Sequence, residues 1–172
     1  MSNKSGLEIE RRFLLKVIPQ NTKEYHVGSI NIFQVYLPND GETIRRIREE
    51  SPMSGPDEEN VYTYTEKKYV SPGVREENEK DITREEFDEL LAEEGTKTYI
   101  AKNRHKFKFP ETGDLIWEID MFQNINLVIA EVELPSLSIP LELPACLKND
   151  IIMEVTNILE LSNSSLATVL KL

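Results

Sequence analysis

Acidic side chains recur in pairs that are separated by one residue. Four such pairs occur in different stretches of the chain: Glu8 and Glu10, Glu77 and Glu79, Glu118 and Asp120, and Glu131 and Glu133. Residues i and i+2 of a β-strand project from the same face, so each pair would place two carboxylates side by side. Adjacent like charges destabilise a sheet unless a counter-ion binds between them. Because the donors are all oxygens, the pattern predicts a site for Mg²⁺ or Mn²⁺ rather than zinc or copper.

Basic side chains are segregated in the same alternating way. Arg46 and Arg48 share one predicted strand face, and Lys102, Arg104 and Lys106 share another. Clusters of guanidinium and ammonium groups bind polyanions. Phosphoryl transfer requires such a clamp together with divalent cations on the attacking and leaving oxygens. The acidic and basic patterns together predict a site for a metal-chelated polyphosphate.

Strands must position these side chains, since a period of two dominates the chain. The alternation predicts eight strands, over 7–15, 30–37, 42–49, 61–69, 74–82, 97–109, 115–122 and 127–134. Pro72 and Gly73 predict a tight turn between the fourth and fifth strands. The segment 50–60 contains two prolines, a glycine and four acids, so a solvated loop is expected there.

Helices are expected after residue 83 and near the C-terminus. Thr83 and Glu86 form a capping box that begins an amphipathic helix predicted over 84–94. Prolines then break the strand pattern, and further helical pieces are predicted over 145–161 and 164–170. The sequence contains no repeat and no sign of a second domain, so residues 1–172 are predicted to form one domain.

The apolar face of the predicted strands bears on how they assemble. Trp117, Ile119 and Met121 alternate with the acids of one strand, and Ala130 and Val132 with those of another. An antiparallel sheet with one face in water would explain this alternation, its exposed ion pairs contributing roughly a few tenths of a kcal/mol each. A barrel would explain in addition the sorting of acids from bases, because its charged face lines a bore and its apolar face packs under helices. The sorting favours the barrel.

Composition restricts the classes of function. Of 172 residues, 31 are Asp or Glu and 20 are Lys or Arg, so the formal net charge is −11. Nucleic acid and anionic membranes require a basic surface, so neither partner is expected. A single cysteine, Cys146, excludes an intramolecular disulfide and a Cys-based zinc site, and His26 and His105 lie too far apart in sequence to favour a histidine-centred site. Without a signal-like or membrane-spanning apolar stretch, the protein is expected in the cytoplasm.

The charged motifs occur in the order found in a known family. The segment LEIERRFL at 7–14 resembles the N-terminal ExExK signature of CYTH domains, the triphosphate tunnel metalloenzymes. Further motifs that resemble the family's follow along the chain: QVYL at 34–37, RIR at 46–48, TEK at 65–67, REENE at 75–79, KNR at 102–104, WEID at 117–120, AEVEL at 130–134, EVT at 154–156 and NSSLA at 163–167. The resemblance covers almost the whole chain, and the ordered series is more specific than any one motif.

The resemblance implies an α+β fold, an eight-stranded antiparallel β tunnel or closed barrel with a charged interior and helices packed outside. It implies that one or two Mg²⁺ or Mn²⁺ ions are held by Glu8, Glu10, Asp120, Glu131 and Glu133, with Glu118 nearby. It implies that the triphosphate is bound by Arg12, Arg46, Arg48, Lys67 and Arg104, with Arg75 and Lys102 as secondary candidates. The expected catalytic set is Glu8, Glu10, Arg12, Lys67 and Arg104. Glu77 and Glu79 would bind metal indirectly or neutralise the bases, and the second role is favoured.

The function implied by the resemblance is metal-dependent hydrolysis of a triphosphate, first of all inorganic tripolyphosphate to pyrophosphate and phosphate. Thiamine or nucleoside triphosphates are other candidate substrates. A class IV adenylyl cyclase, converting ATP to cyclic AMP and pyrophosphate, is the alternative. A non-catalytic polyphosphate binder is less favoured, because all five expected metal carboxylates are present. The partner is therefore expected to be a small-molecule triphosphate, and the oligomeric state, a homodimer included, stays open.

Two departures from the family pattern bear on substrate choice. Arg12 stands where the first motif usually has Lys, which replaces a point charge by a planar fork. Val35 stands where the second motif usually has Gly. Both changes leave the expected fold unaltered.

Overall fold

Eight strands form the framework of the molecule. The computed structural model describes residues 3–20, 22–38, 41–53 and 59–169. The strands are β1 (Asn3–Leu15), β2 (His26–Tyr36), β3 (Thr43–Pro52), β4 (Val61–Ser71), β5 (Val74–Asp81), β6 (Thr98–Phe107), β7 (Trp117–Phe122) and β8 (Val128–Glu133). They are the eight strands that the alternation predicts, and their ends differ from the predicted ends by at most four residues.

Antiparallel pairing closes these strands into a barrel. Neighbours follow in the order β1, β5, β4, β3, β2, β6, β7, β8, and β8 pairs again with β1. The register sets inward side chains opposite one another, for example Arg12 opposite Glu131 and Arg46 opposite Thr65. Most of the buried polar and charged side chains lie at these inward positions. The predicted closed antiparallel barrel with a charged interior is therefore confirmed.

The outward face of the strands carries most of the apolar core. Its largest buried cluster contains Phe13, Leu15, Phe107, Phe109, Trp117, Ile119, Ala130, Val132, Leu134 and Leu147. Leu147 comes from the short helix α2 (Ala145–Lys148), which lies outside the barrel. Trp117 is fully buried in this cluster, as expected for an outer-face core residue. Since each such side chain contributes about 1.5–3 kcal/mol on burial, packing on the outside stabilises a barrel whose inside is polar.

A second outward cluster is covered by the helix α1 (Arg84–Ala92). Phe87 of this helix packs against Val35 of β2 and Ile47 of β3. The predicted capping box is present: the Thr83 hydroxyl accepts from the Glu86 amide, and the Glu86 carboxylate accepts from the Thr83 amide. The helix predicted over 84–94 is thus confirmed, although it ends two residues earlier.

A third apolar cluster lies inside the barrel. Ile100, Phe122 and Ile129 share the inward parity of the charged residues on their strands. Leu166 of the short helix α3 (Asn163–Leu166) packs against them. The charged part of the interior therefore ends at an apolar cap beside α3.

The C-terminal region contradicts the helix predicted over 145–161. After α2, the segment β9 (Ile151–Glu154) is a strand that pairs with β1, and a 3₁₀ turn follows at Leu159–Leu161. The reason is backbone hydrogen bonding: β1 pairs with β5 only as far as Ile9, so its later amides and carbonyls need another neighbour. β9 supplies it. This long-range requirement overrides the local apolar spacing.

The remaining differences are local. In place of the helix predicted over 164–170, α3 is followed by a strand β10 (Thr168–Val169) that pairs with β6, and residue 170 lies outside the described residues. Of the loop predicted over 50–60, residues 50–52 belong to β3 and residues 54–58 lie outside the described residues. In the described ranges, no helix is both long and apolar enough to cross a membrane.

The turn at Pro72 and Gly73 is confirmed and touches the interior. Gly73 has φ 71°, a left-handed conformation that favours glycine. Its carbonyl accepts from the Glu10 amide at 2.9 Å. A Cβ atom on Gly73 would lie 2.9 Å from the Glu10 carbonyl oxygen and 2.9 Å from Thr156 Cγ2. The turn therefore packs directly on the backbone that presents Glu10.

Candidate functional site

The interior of the barrel contains two adjoining cavities. The larger has a volume of about 680 Å³ and the smaller about 400 Å³. Both are lined by Glu8, Glu10, Arg46, Lys67 and Asn163. Because they share this part of their wall, they form the two mouths of one bore.

Carboxylates crowd the larger mouth. Those that line it include Glu8, Glu10, Glu118, Glu131 and Glu133, five of the six predicted metal ligands. Burial, and then the neighbouring carboxylates Glu131 and Glu8, raise the pKa of Glu10 to about 8. A cation bound beside Glu10 would therefore favour the charged form of this carboxyl group.

Glu131 is the carboxylate that keeps its charge. Its two oxygens accept from Arg12 Nε at 2.8 Å and from Arg104 Nη2 at 2.7 Å. Burial alone would favour the protonated form, but Lys102, Arg12 and Arg104 hold the pKa of Glu131 well below its usual range. Glu131 and Glu10 thus differ in protonation although both border the same cavity.

Arg12 connects the bore to the C-terminal segment. Its Nε lies 3.3 Å from Glu10 Oε1, besides the bond to Glu131. Its Nη2 donates to the carbonyl of Leu161 at 2.9 Å. The predicted triphosphate-binding residue on β1 therefore also holds the turn that precedes α3.

Arg104 and Asp120 form a bidentate pair across β6 and β7. Arg104 Nε and Nη2 each donate to one oxygen of Asp120 at 2.7 Å, and its Nη1 donates to Glu118. Burial opposes the charged form of Arg104, but Asp120, Glu118 and Glu131 raise its pKa well above the usual range. Arg104 is held in one orientation by three carboxylates.

Behind Arg104, Lys102 and Asp120 form a second pair. The Lys102 ammonium bonds to Asp120 Oδ2, both side chains are completely buried, and neither lines either cavity. Burial and the nearby Arg104 lower the pKa of Lys102. The ammonium lies 5.7 Å from the ring centroid of Phe122, which belongs to the apolar cap. The predicted roles of Asp120 as a metal ligand and of Lys102 as a triphosphate ligand stay predictions. Both side chains lie within the barrel wall and do not line the bore.

Arg46 and Arg48 lie on β3, in the neighbouring part of the barrel wall, where a neutral amide of β2 joins them. Gln34 Oε1 accepts from Arg46 Nη1 at 3.2 Å and from Arg48 Nε and Nη2 at 3.0 and 2.9 Å. Carboxylate contacts are few: Glu79 lies 3.5 Å from Arg46, and Glu50 lies 3.1 Å from Arg48. Arg46 Nε is buried and has no hydrogen-bond partner among the described residues. A buried donor left in this state is expected to bind a ligand atom.

Lys67 lies between acids of two strands. Its ammonium is 2.6 Å from Glu8 and 2.5 Å from Glu77. Burial would raise the pKa of Glu77, but Lys67 and Arg46 lower it. Glu79 accepts from the Thr65 hydroxyl at 2.9 Å in addition to its contact with Arg46. Glu77 and Glu79 thus lie beside bases, the arrangement expected if they neutralise them.

Arg75 lies at the rim of the smaller mouth. Its Nη1 donates to the backbone carbonyls of Ser71 and Val74, and its guanidinium lies 4.7 Å from the ring centroid of Tyr69. Arg75 lines the 400 Å³ cavity but not the larger one. In the register of β1 and β5, Arg75 lies opposite Glu8, so it is next to the carboxylate cluster although its guanidinium faces the smaller cavity.

Three interior polar residues were not among the predicted site residues. Gln34 and Tyr36 belong to the QVYL motif, and the alternation of β2 places both on the inward face. Neither the motif nor the alternation indicates which side chains these two residues contact. Asn163 begins α3, and its Oδ1 is buried without a hydrogen-bond partner among the described residues. The NSSLA motif begins with Asn163, but the motif does not place this side chain in the bore, because the path of the C-terminal segment across the barrel determines its position.

The donor set fits a divalent cation, although its atoms are paired with bases here. In the described part of the chain, no group of three or more His, Cys, Asp or Glu side chains is arranged to hold a metal ion. Glu8 contacts Lys67, and Glu131 contacts Arg12 and Arg104. The raised pKa of Glu10 shows the excess of carboxylates that a cation would relieve. All these donors are oxygens, the ligands that Mg²⁺ and Mn²⁺ prefer.

The structure resembles solved proteins of one architecture. No model of a protein family and no curated protein matches the chain. The inorganic triphosphatase NE1496 is 27% identical, with a TM-score of 0.56, and the match covers 93% of each chain. The Hippeastrum protein HpAC1, named as an adenylyl cyclase with a dominant triphosphatase activity, is 16% identical, with a TM-score of 0.52 and coverage of 75% of this chain and 80% of that one.

A third match extends the fold comparison. A Bacillus halodurans protein named as an adenylate cyclase is 15% identical, with a TM-score of 0.50 and coverage of 79% of this chain and 83% of that one. At these identities the two cyclase-named structures establish only the fold. Fold and bore match the tunnel architecture of these structures. The chain is therefore similar to the CYTH-type triphosphate tunnel metalloenzymes, the resemblance that its motifs predicted.

Proposed function

We propose that this protein hydrolyses a triphosphate inside the bore, with inorganic tripolyphosphate as the first candidate and pyrophosphate and phosphate as products. One observation carries the proposal: a single 680 Å³ cavity is bordered by the bases Arg46, Arg48 and Lys67 and by at least five carboxylates. The bases can bind the phosphate oxygens, and the carboxylates can hold a cation that the triphosphate shares. The 27% identity to an inorganic triphosphatase over 93% of the chain supports the same reaction.

We propose that the reaction depends on Mg²⁺ or Mn²⁺. Glu8, Glu10, Glu131 and Glu133 would hold the ion, with Glu118 beside them. The ion would supply charge neutralisation on the phosphate oxygens and activation of the attacking water. The fold keeps these carboxylates in one cavity. Next to Glu10, the bases of the protein do not offset the effect of burial and of the neighbouring carboxylates on its pKa.

The bases of the bore would orient the substrate. Arg46, Arg48 and Lys67 border the larger cavity, and their side chains are mostly buried, so they interact with phosphate in a medium less polar than water. The free Nε of Arg46 would donate to a phosphate oxygen. A carboxylate among Glu8, Glu10, Glu131 and Glu133 would accept the proton from the attacking water.

The smaller mouth favours a second candidate, a nucleotide-converting activity such as adenylyl cyclase. It is lined by Tyr36, Tyr69, Ile44, Ile158 and Leu159 and by serine side chains of α3. Apolar and hydroxyl groups of this kind can hold an organic group esterified to the α-phosphate. The cyclase, like a nucleoside triphosphatase, would need this mouth, whereas hydrolysis of tripolyphosphate would not.

Product identification on a substrate panel tests the proposal. The protein is incubated with tripolyphosphate, ATP and thiamine triphosphate, each with Mg²⁺, Mn²⁺ or a chelator. Phosphate and pyrophosphate from tripolyphosphate, only with metal, is the expected result. Cyclic AMP from ATP without phosphate release would favour the cyclase, and metal-dependent binding without any turnover would favour a polyphosphate binder.

A further inference from the structure

The amide of Gln34 has an unusual environment at the centre of the bore wall. Gln34 lies on β2, is fully buried, and faces Arg48 across the β2–β3 register. Its single carbonyl oxygen accepts three N–H groups from Arg46 and Arg48 at 2.9–3.2 Å. The two guanidiniums are thereby held by one acceptor between them.

Tyr36 sets the orientation of this amide. Gln34 Nε2 donates to the Tyr36 hydroxyl oxygen at 2.5 Å, which directs the carbonyl side of the amide to the arginines. Tyr36 is buried, and burial raises its pKa to about 12, so the hydroxyl keeps its proton. Tyr36 itself lines the smaller mouth. The contacts form a chain from the hydroxyl through the amide to both guanidiniums.

The neutrality of the acceptor has a consequence for anion binding. A carboxylate in the same place would cancel one positive charge and compete with phosphate for the same N–H groups. An amide orients the guanidiniums without adding a negative charge to those of Glu79 and Glu50, which lie 3.5 Å from Arg46 and 3.1 Å from Arg48. The pKa of Arg48 is lowered by burial and by Arg46 and Arg104, which shows how closely positive charge is gathered there. Arg46 Nε, which is buried without a hydrogen-bond partner among the described residues, belongs to this same pair.

We propose that Gln34 is a positioning residue for the triphosphate clamp: it fixes the planes of Arg46 and Arg48 through a neutral acceptor, which adds no negative charge to compete with phosphate. This rests on the proposed triphosphate substrate. Gln34 acts through the two arginines and is not assigned a contact with the reacting atoms.

Two substitutions of similar size separate this role from a structural one. Gln34→Met removes the acceptor, and Gln34→Glu keeps it but adds a charge. We expect each to weaken binding of inorganic tripolyphosphate, measured by calorimetry with Mg²⁺, by about tenfold or more, with the rise in KM exceeding the fall in kcat. Ligand-free Gln34→Glu should melt no lower than wild type, because it gains ion pairs with both arginines. If Gln34 had only a structural role, the tripolyphosphate affinity of both variants would instead fall together with their melting temperature.

A measurement without ligand makes the test independent of activity. The Nε–Hε NMR signals of Arg46 and Arg48 should move or broaden in Gln34→Met, since their acceptor is lost. Tyr36→Phe should produce a smaller change of the same kind. The exposed amide of Gln123, changed to Met, is the matched control and should leave binding unaltered.

The outcomes separate the two proposals. Wild-type tripolyphosphate affinity in Gln34→Met, with unchanged arginine signals, would overturn the role of Gln34 and leave the proposed function standing. A wild-type protein that neither binds nor cleaves any triphosphate would overturn the proposed function, and with it the role of Gln34 in a triphosphate clamp.

Discussion

The two walls of the bore use the same residue types in different ways. On the β6–β7 wall, the bases Lys102 and Arg104 are bonded directly to carboxylates of the next strand. On the β2–β3 wall, Arg46 and Arg48 share the neutral amide of Gln34, and Arg46 Nε has no partner among the described residues. The bases of the first wall are bonded to carboxylates at close range, whereas those of the second share a neutral acceptor and have one longer carboxylate contact each, at 3.5 Å for Arg46 and 3.1 Å for Arg48. Satisfied ion pairs serve as scaffold, whereas unsatisfied donors are available to a ligand.

The largest effect is expected from breaking the scaffold wall. Asp120→Asn leaves the Lys102 ammonium completely buried without its partner and removes the bidentate acceptor of Arg104. We expect the free energy of unfolding to fall by about 3–5 kcal/mol, measured by urea denaturation with chelator present.

The double variant Lys102→Met with Asp120→Asn is the control for this prediction. It removes both charges and should recover much of the lost stability. If Asp120 were only a metal ligand, Asp120→Asn would leave metal-free stability unchanged or higher. That result would mean that Asp120 belongs to the metal site and not to the scaffold.

Arg46→Met tests the β2–β3 wall, whose donors are proposed to bind the substrate. We expect kcat/KM for tripolyphosphate to fall by roughly 10²–10³, because a buried donor directed at the substrate is lost. Phosphate release measures the effect, and circular dichroism checks that the fold is kept.

Arg45→Met is the matched control, because Arg45 is the next residue of β3 and lies on the outer face, bonded to Tyr64. It should leave turnover unchanged. Equal losses in the two variants would mean that the effect of Arg46→Met does not come from the inward position of Arg46.

Strand parity is the part of this site that the sequence predicts well. Alternation is local, so it assigned Arg12, Arg46 and Glu131 to the interior without knowledge of the pairing. Parity does not report depth or neighbours. It grouped Asp120 with Glu118, although Asp120 lies in the wall behind Arg104 and Glu118 lines the cavity.

Contacts made by the chain at a distance could not be predicted. The role of Gln34 depends on the register between β2 and β3, and that register follows from the closure of the whole barrel. The strand β9 exists because β1 needs a second backbone neighbour there, so its apolar spacing was misleading. In both cases the decisive partner lies far away in sequence.

Glu10→Gln tests the cluster of carboxylates around Glu10 in the larger cavity. Native Glu10 has a pKa of about 8 against an ordinary value of 4.5, so between these pH values the folded protein binds more protons than the unfolded chain. The stability of the metal-free protein should therefore fall as the pH rises from 4.5 to 8. Glu10→Gln should remove much of this slope and, at pH 8, be more stable by about 2 kcal/mol, a value kept low because water still reaches the side chain.

The same substitution should abolish metal-dependent turnover, so that stability and activity change in opposite directions. Glu76→Gln, on the exposed face of β5, is the control and should change neither. A stability that is independent of pH in wild type, measured by denaturation with chelator, would show that Glu10 is not strained by its neighbours.

The smallest effect is expected outside the bore, where an ion pair of good geometry lies in contact with water. Arg11 donates to both oxygens of Glu154 at 2.9 and 2.6 Å, but the side chains are 34% and 40% exposed. Arg11→Met should lower the free energy of unfolding by no more than about 1 kcal/mol and leave tripolyphosphate turnover unchanged. The pair has geometry as good as that of Arg104 with Asp120, so the two differ mainly in burial. A loss of stability as large as that expected for Asp120→Asn would show that the geometry of an ion pair, and not its burial, determines whether it stabilises the fold.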